Sequence, residues 1–287
     1  MAIILSGKEI SLKIRQELAE EVKGLKERFK RPPCLGVVWV GEHPASATYV
    51  RAKERACKET GIDFKLYHLS KDTNQDMLCQ LVKQLNSEET VDAFLVQLPL
   101  PSTISEDVII ETITPEKDAD GFHPYNLGRL LIGKPSFIPC TPAGIWELLC
   151  RSKIETKSKE IVIIGRSNIV GKPLAILLMQ KGIGNATVTV CHTATRDLKF
   201  HTARADILIV AAGQPRFVKK DMVKEGAIII DVGIHHTETG LCGDVDFDDV
   251  FKKVRAITPV PGGVGPMTVA MLLKNTILAY KKRMLLM

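Results

Sequence analysis

The chain has 287 residues, 45% hydrophobic and 25% charged, with a formal net charge of +6 and only 5% aromatic residues. That length suits two domains able to bury a sizeable core, and no apolar run reaches the roughly 18 residues of a membrane span. The Lys and Arg residues are dispersed, as in Lys23, Lys26, Arg28 and Lys30, which favours a solvated surface and an anionic small ligand over a nucleic-acid platform.

The N-terminal Met-Ala-Ile-Ile-Leu-Ser lacks a basic region and a long apolar stretch, so no secretory signal and a cytoplasmic location are expected. Seven cysteines, an odd number without a C-x-x-C pair, read as reduced core thiols rather than a disulfide or zinc framework. His235-His236 has no partners at ligand spacing, and no metal site is expected.

In chain order, Ser6 is placed to cap a long amphipathic helix with Ile10, Ile14, Leu18, Val22 and Leu25 on one stripe. A buried strand follows at Cys34 to Val40, then a helix opened by Pro44 and stopped near Gly61. A second strand is predicted at Phe64 to Leu69, a helix capped by Thr73 through Leu85, and a third strand at Ala93 to Gln97. A proline-punctuated stretch carries two short helical patterns, Ser105 to Thr112 and Pro124 to Leu131, and leads to a domain boundary at Pro139 to Pro142. A connecting helix, Pro142 to Cys150, comes next.

Beyond it, strands are predicted at Ile161 to Ile164, Thr187 to Val190, Ile207 to Val210 and Ile228 to Val232, with helices beginning near Val170, Leu198 and Lys220. β-branched runs alternating with helical segments imply a parallel sheet. After Pro259 to Pro266 a final helix runs to about Arg283, where Lys281-Lys282-Arg283 suits a helix C-terminus. The expected division is 1–140 with a returning helix 266–287, and 141–265.

Five groups of residues suggest chemistry. The nine residues Gly165-Arg166-Ser167-Asn168-Ile169-Val170-Gly171-Lys172-Pro173 follow an apolar strand and open a helix, a corner that offers backbone N–H groups and a helix dipole to a phosphate. The spacing departs from G-x-G-x-x-G, with Ser167 and Val170 at the second and third glycine positions, and a plain strand–turn–helix corner would read the same way. Tyr49 and Lys53, four apart on one helix, share a face; an exposed Lys lying on a Tyr ring is the structural alternative. Gln97 ends an apolar strand at the carboxyl edge where open α/β sheets bind ligands, although a core amide fits too. Asp118-Ala119-Asp120-Gly121 carries two acids in a motif that also marks an ordinary turn. After the second strand of the C-terminal half stand Thr193, Thr195 and Arg196, with the first acid only at Asp197, and with Arg166 this suits a ribose 2′-phosphate, hence NADP.

Together these segments resemble the bifunctional methylenetetrahydrofolate dehydrogenase/cyclohydrolase family over essentially the whole chain. The matching pieces are Pro44-Ala45-Ser46 with Tyr49-Val50-Arg51-Ala52-Lys53, Val96-Gln97-Leu98-Pro99-Leu100-Pro101, Lys117 to Phe122, Gly165 to Pro173, Asp231-Val232-Gly233, Gly243-Asp244-Val245 and Thr258 to Thr268. The resemblance implies an α/β fold of two lobes: an N-terminal folate-binding lobe, and a Rossmann-type NADP-binding lobe with a C-terminal helix returning to the first. It further implies a folate cleft between the lobes and a homodimer. Lys53 is then the catalytic lysine, Gln97 the glutamine that holds it, Tyr49 the tyrosine beside the pterin, and Asp120 the pterin anchor. Gly165, Arg166, Ser167, Val170, Gly171, Thr193, Gly233 and Ile234 would contact the cofactor, and Pro261, Gly262 and Gly263, with Tyr49 and Asp120, the folate.

Three departures stand out. Thr193 replaces the serine usual in NADP-dependent members, Ala194 replaces a common lysine, and His235-His236 stands where the family often has Asn-Arg. The expected activity is oxidation of 5,10-methylenetetrahydrofolate with NADP⁺ and hydrolysis of the methenyl product to 10-formyltetrahydrofolate. The alternatives are a non-catalytic folate- or nucleotide-binding regulator and a shikimate-type NADP dehydrogenase, whose G-x-G-G fingerprint Gly165-Arg166-Ser167 does not match. No nucleic-acid or membrane partner is expected.

Overall fold

A computed structural model describes residues 2–238 and 240–285. The elements begin with β1 (Ile3–Ile4), α1 (Gly7–Phe29), β2 (Cys34–Val40), α2 (Pro44–Thr60), β3 (Asp63–Leu69), α3 (Gln75–Ser87) and β4 (Ala93–Val96). They continue with α4 (Glu106–Thr112), α5 (Pro124–Leu131), α6 (Cys140–Arg151), β5 (Glu160–Ile164), α7 (Gly171–Met179), β6 (Thr187–Cys191), α8 (Leu198–Thr202) and β7 (Ile207–Val210). Last come β8 (Ile228–Asp231), β9 (His235–Thr237), β10 (Gly240–Cys242), α9 (Phe247–Val250), β11 (Ala256–Ile257) and α10 (Val264–Leu285).

The chain divides into two compact units. One comprises Lys13–Cys140 and the chain from Val269 onward; the other comprises the residues up to Leu12 with Thr141–Thr268. In the first unit a parallel sheet of order β3-β2-β4 forms the frame. Val38, Val40 and Phe94 from its strands pack with Leu78 and Val82 of α3 and Ile109 of α4. Helix α2 starts with Pro44 in its first turn and ends at Gly61, which adopts φ +74° and donates its N–H to Cys57 and Lys58 carbonyls. A left-handed residue closes a helix at least cost when it has no Cβ. From Val269 onward α10 belongs to this unit: the Tyr280 hydroxyl donates to the Arg31 carbonyl at 2.8 Å.

In the second unit six parallel strands take the order β1-β11-β8-β7-β5-β6. The inner strands are apolar on both faces, as strands covered by helices must be, with Ile161 to Ile164, Ile207 to Val210 and Ile228 to Ile230 all buried. The Rossmann-type sheet expected from the β-branched runs is therefore present.

Several local expectations are corrected. Residues up to Leu12 group with Thr141–Thr268 rather than with the N-terminal segment, because Ile3 and Ile4 pair in parallel with Ala256 and Ile257. Two-residue strands carry too little periodicity to be seen in sequence. Asn74, not Thr73, caps α3 through Met77 N–H. The helix expected near Lys220 is a single 3-10 turn, Lys220–Met222, since Val223 returns to extended backbone and enters the core. Helix α10 begins at Val264, ahead of Pro266; the expected end of that helix at 286–287 lies outside the described residues. Ser6 does cap α1, accepting from Glu9 N–H at 3.3 Å.

Candidate active site

In the first unit, β4 runs into Gln97, whose backbone N–H still donates to the Val38 carbonyl at 2.8 Å. That last ladder bond fixes the amide at the carboxyl edge of the sheet. Lys53 reaches it from α2: its Nζ donates to Gln97 Oε1 at 2.8 Å. The other end of the same amide, Nε2, donates to the Leu98 carbonyl at 2.7 Å. With both ends engaged, Gln97 presents an oxygen, not an NH₂, to the lysine.

The loop carrying Asp120 is held against the same strand. Phe94 N–H donates to the Lys117 carbonyl at 2.9 Å and Ala119 N–H to the Phe94 carbonyl at 3.2 Å. Asp118 then folds the turn: its carboxylate accepts from the N–H groups of Gly121, Phe122 and His123 at 2.9, 3.2 and 2.9 Å and from Asn126 Nδ2 at 2.8 Å. Gly121 sits at φ +76°, where a Cβ would lie 2.8 Å from the Ile138 carbonyl carbon. From α10, Asn275 Nδ2 donates to the carbonyls of Ala119 and Ile138 at 3.0 and 3.1 Å and faces Cys140 Sγ at 3.6 Å.

Electrostatics follow from this enclosure. Lys53 is buried, and desolvation pulls its amine below the ordinary value while the Asp120 carboxylate pulls the other way. Asp120 is pushed up to about 6 by desolvation, partly offset by Lys53. Burial also drives the Cys140 thiol well up, which makes it inert rather than nucleophilic. Tyr49 lies one turn before Lys53 with its side chain 40% exposed. Asn275 and Cys140 were not among the candidate residues read from sequence; Asp118 was legible there only as an acid two positions before Asp120, without the turn-folding role its bonds show.

In the second unit the turn after β5 has no room for side chains at its glycines. Gly165 adopts φ +117°, and a Cβ there would lie 2.3 Å from the Ala211 carbonyl oxygen; one on Gly171 would lie 2.1 Å from the Gly165 oxygen. The corner therefore presents bare backbone at the N-terminus of α7, the surface a diphosphate needs. Ser167 Oγ accepts from Val170 N–H at 3.1 Å, and Arg166 is exposed. The loop after β6 is also prefolded: His192 N–H donates to Thr195 Oγ1 at 2.8 Å and Ala194 N–H to His192 Nδ1 at 3.2 Å, leaving Thr193 and Arg196 at the surface.

Two buried acids organise the strand ends beside it. Asp231 accepts from Gly233, Asp244 and Val245 N–H groups at 3.0, 2.9 and 2.9 Å. Burial pushes its carboxyl up to about 6 against those bonds. Asp244 in turn accepts from Ala212, Gly213 and Gln214 N–H groups at 2.6, 3.0 and 3.0 Å. Gly233 is wedged against it, and Ile234 is exposed. Pro261, Gly262 and Gly263 lie in this same unit, where the Gly262 carbonyl accepts from Lys8 N–H at 2.8 Å. Among the described residues no group of three or more His, Cys, Asp or Glu forms a metal-type cluster, and no helix is long and apolar enough to cross a membrane.

A glycine corner on a parallel Rossmann-type sheet, in a chain that also carries a buried lysine–amide–carboxylate cluster, defines the class of two-unit α/β enzymes that bind a nicotinamide dinucleotide. The family model for the tetrahydrofolate dehydrogenase/cyclohydrolase catalytic domain matches residues 5–120, and that for the NAD(P)-binding domain matches residues 139–284. This chain belongs to the tetrahydrofolate dehydrogenase/cyclohydrolase family. It is 52% identical over 283 residues to the bifunctional protein FolD of Agathobacter rectalis, covering 98% of this chain and 100% of that protein. The crystal structure of the Campylobacter jejuni FolD dehydrogenase/cyclohydrolase matches with TM-score 0.95 and 49% identity over 99% of this chain and 100% of that one. The Trypanosoma brucei enzyme, crystallised with NADP cofactor and an inhibitor, matches with TM-score 0.93 and 41% identity over 99% of this chain and 98% of that one.

Proposed function

We propose that this chain carries out two consecutive reactions at one carbon. It oxidises 5,10-methylenetetrahydrofolate with NADP⁺ to the 5,10-methenyl cation, then hydrolyses that cation to 10-formyltetrahydrofolate. The observation that carries this reading is the buried Lys53 amine, held on Gln97 Oε1 at 2.8 Å and sharing its surroundings with Asp120.

When bound, the nicotinamide supplies the hydride acceptor. The folate's own N5 and N10 lone pairs stabilise the cation, so for this step the chain has mainly to align the reactants. Hydrolysis asks more of the protein. Lys53 Nζ, made less basic by burial, takes a proton from water as its oxygen bonds to the methenyl carbon. The same amine returns a proton to N5 as the carbon–N5 bond breaks, and the second water proton leaves to solvent. Gln97 keeps the amine aimed by accepting one of its N–H bonds. Asp120 accepts from the pterin ring, and Tyr49 lies along it.

Gly165, Arg166, Ser167, Val170 and Gly171 are assigned to the cofactor diphosphate corner, and Thr193 with Arg166 to the 2′-phosphate. Gly233 and Ile234 are assigned to the cofactor as well, and Pro261, Gly262 and Gly263 to the folate. A homodimeric state and a cytoplasmic location are carried forward on the sequence reading alone.

Absorbance-monitored turnover of 5,10-methylenetetrahydrofolate with NADP⁺ and NAD⁺ in parallel, followed by decay of added methenyltetrahydrofolate, tests the assignment. Faster turnover with NAD⁺ would overturn the roles given to Thr193 and Arg166. Folded protein inactive with both cofactors would overturn the function.

A further inference from the structure

His235 is one of the positions at which this sequence departs from the family pattern, and its imidazole has a defined partner. Nε2 lies 2.7 Å from Asp244 Oδ1, with the ring 21% exposed and the carboxylate fully buried. That carboxylate also receives the three successive N–H groups of Ala212, Gly213 and Gln214, the loop leaving the carboxyl end of β7. Ligands bind outside the carboxyl ends of strands in sheets of this type. His235 itself begins β9, immediately after Gly233 and Ile234 at the carboxyl end of β8. One carboxylate therefore joins two adjacent strand-end loops, and the histidine ring meets it from the second of them.

We infer that His235 is a positioning residue for the dinucleotide: by donating from Nε2 to Asp244 it sets the Ala212–Gln214 loop and the Gly233–Ile234 segment in register with each other. The donor role needs the tautomer with a proton on Nε2, since a carboxylate oxygen can only accept. Gly233 leaves no slack in this arrangement, because a Cβ there would lie 2.4 Å from the Asp244 Cγ and 2.6 Å from its backbone nitrogen. Removing the donor leaves a buried carboxylate oxygen without one of its partners, which costs alignment before it costs the fold. The inference rests on the cofactor reading above.

The test compares wild type, His235→Leu, which cannot donate, and His235→Gln, which can. Measurements are the Kd for NADP⁺ by quenching of intrinsic fluorescence without folate, and KM and kcat for both substrates. The expected result is a Kd for NADP⁺ raised about tenfold in His235→Leu, the equivalent of about 1.4 kcal/mol, with a larger rise in KM for NADP⁺ than for the folate. His235→Gln should stay within about threefold of wild type. Leucine and wild-type proteins that bind NADP⁺ alike would overturn the inference, as would equal losses in the leucine and glutamine variants. If His235→Leu loses its cooperative melt, the same comparison between His235→Ala and His235→Asn decides. Folded wild-type protein that binds no NADP⁺ would instead overturn the cofactor reading.

Discussion

Lys53 owes its chemistry to what surrounds it. An amine on a helix surface keeps its ordinary basicity; burial lowers that of Lys53, against the pull of Asp120, the direction that proton transfer requires, and Gln97 offers it an oxygen at 2.8 Å. Lys53→Met is expected to lower methenyltetrahydrofolate hydrolysis by at least about 100-fold while NADP⁺ binding persists; an unimpaired variant would remove Lys53 from the mechanism. Asp120 carries the opposite burden. Its folded pKa is raised to about 6, so its contribution to stability is fully present below the unfolded carboxylate value and is lost as pH rises through about 6. Asp120→Asn should therefore raise the Tm of the ligand-free protein more at about pH 7.5 than at about pH 4.5, while weakening folate binding more than NADP⁺ binding. Equal Tm differences at the two pH values would contradict the burial argument, and equal losses for both ligands would point to general misfolding. The types and spacing of Tyr49, Lys53 and Gln97 were readable from sequence, but the bond between Lys53 and Gln97 spans 44 residues and exists only after β4 and α2 pack on β2.

The turn between β5 and α7 shows how an element enforces its own composition. Gly171 has the Gly165 carbonyl oxygen at 2.1 Å from where a Cβ would stand, and the obstructing atom is backbone. Gly171→Ala is expected to destabilise the protein by about 1–3 kcal/mol, read by denaturant titration, and to weaken NADP⁺ binding by shifting the corner. An alanine variant as stable as wild type would show that the corner relaxes freely. This element was legible from sequence because a strand, a glycine turn and a helix start are local events. The paired acids Asp231 and Asp244 were visible only as fragments of two motifs. Their bonds to Gly233, Val245 and Ala212 to Gln214 join segments that approach only when the parallel sheet forms.

At the scale of the molecule, the chain's last helix is secured by a buried carboxylate and two half-buried arginines in the unit of Lys13–Cys140. Asp92, fully buried, accepts from the two terminal Arg31 guanidinium nitrogens at 2.7 and 2.6 Å and from Cys34 N–H at 2.8 Å, with Arg283 of α10 at 3.5 Å. The Arg31 guanidinium also lies 4.7 Å over the Tyr280 ring. Removing the carboxylate strands the buried Cys34 N–H and leaves the partly exposed Arg31 and Arg283 without their shared partner, so Asp92→Ala should cost about 1–3 kcal/mol and loosen α10. Amide hydrogen exchange at Asn275 to Tyr280 would register that loosening, and unchanged protection there would contradict the role given to Asp92.

The sequence by itself determined the α/β class, most strand and helix positions, the glycine corner and the residues able to move protons or meet a phosphate. Each of these follows from periodicity, capping or the chemistry of single side chains, which are properties of neighbours along the chain. Only the tertiary structure decided that Ile3 and Ile4 complete the second unit's sheet. It also decided that Gln97 turns its oxygen to Lys53, that Asn275 from α10 grips the Asp120 loop, and that His235 Nε2 meets Asp244 Oδ1. Those pairings span 9 to 253 residues across different elements, and their energies depend on burial, which no local pattern encodes.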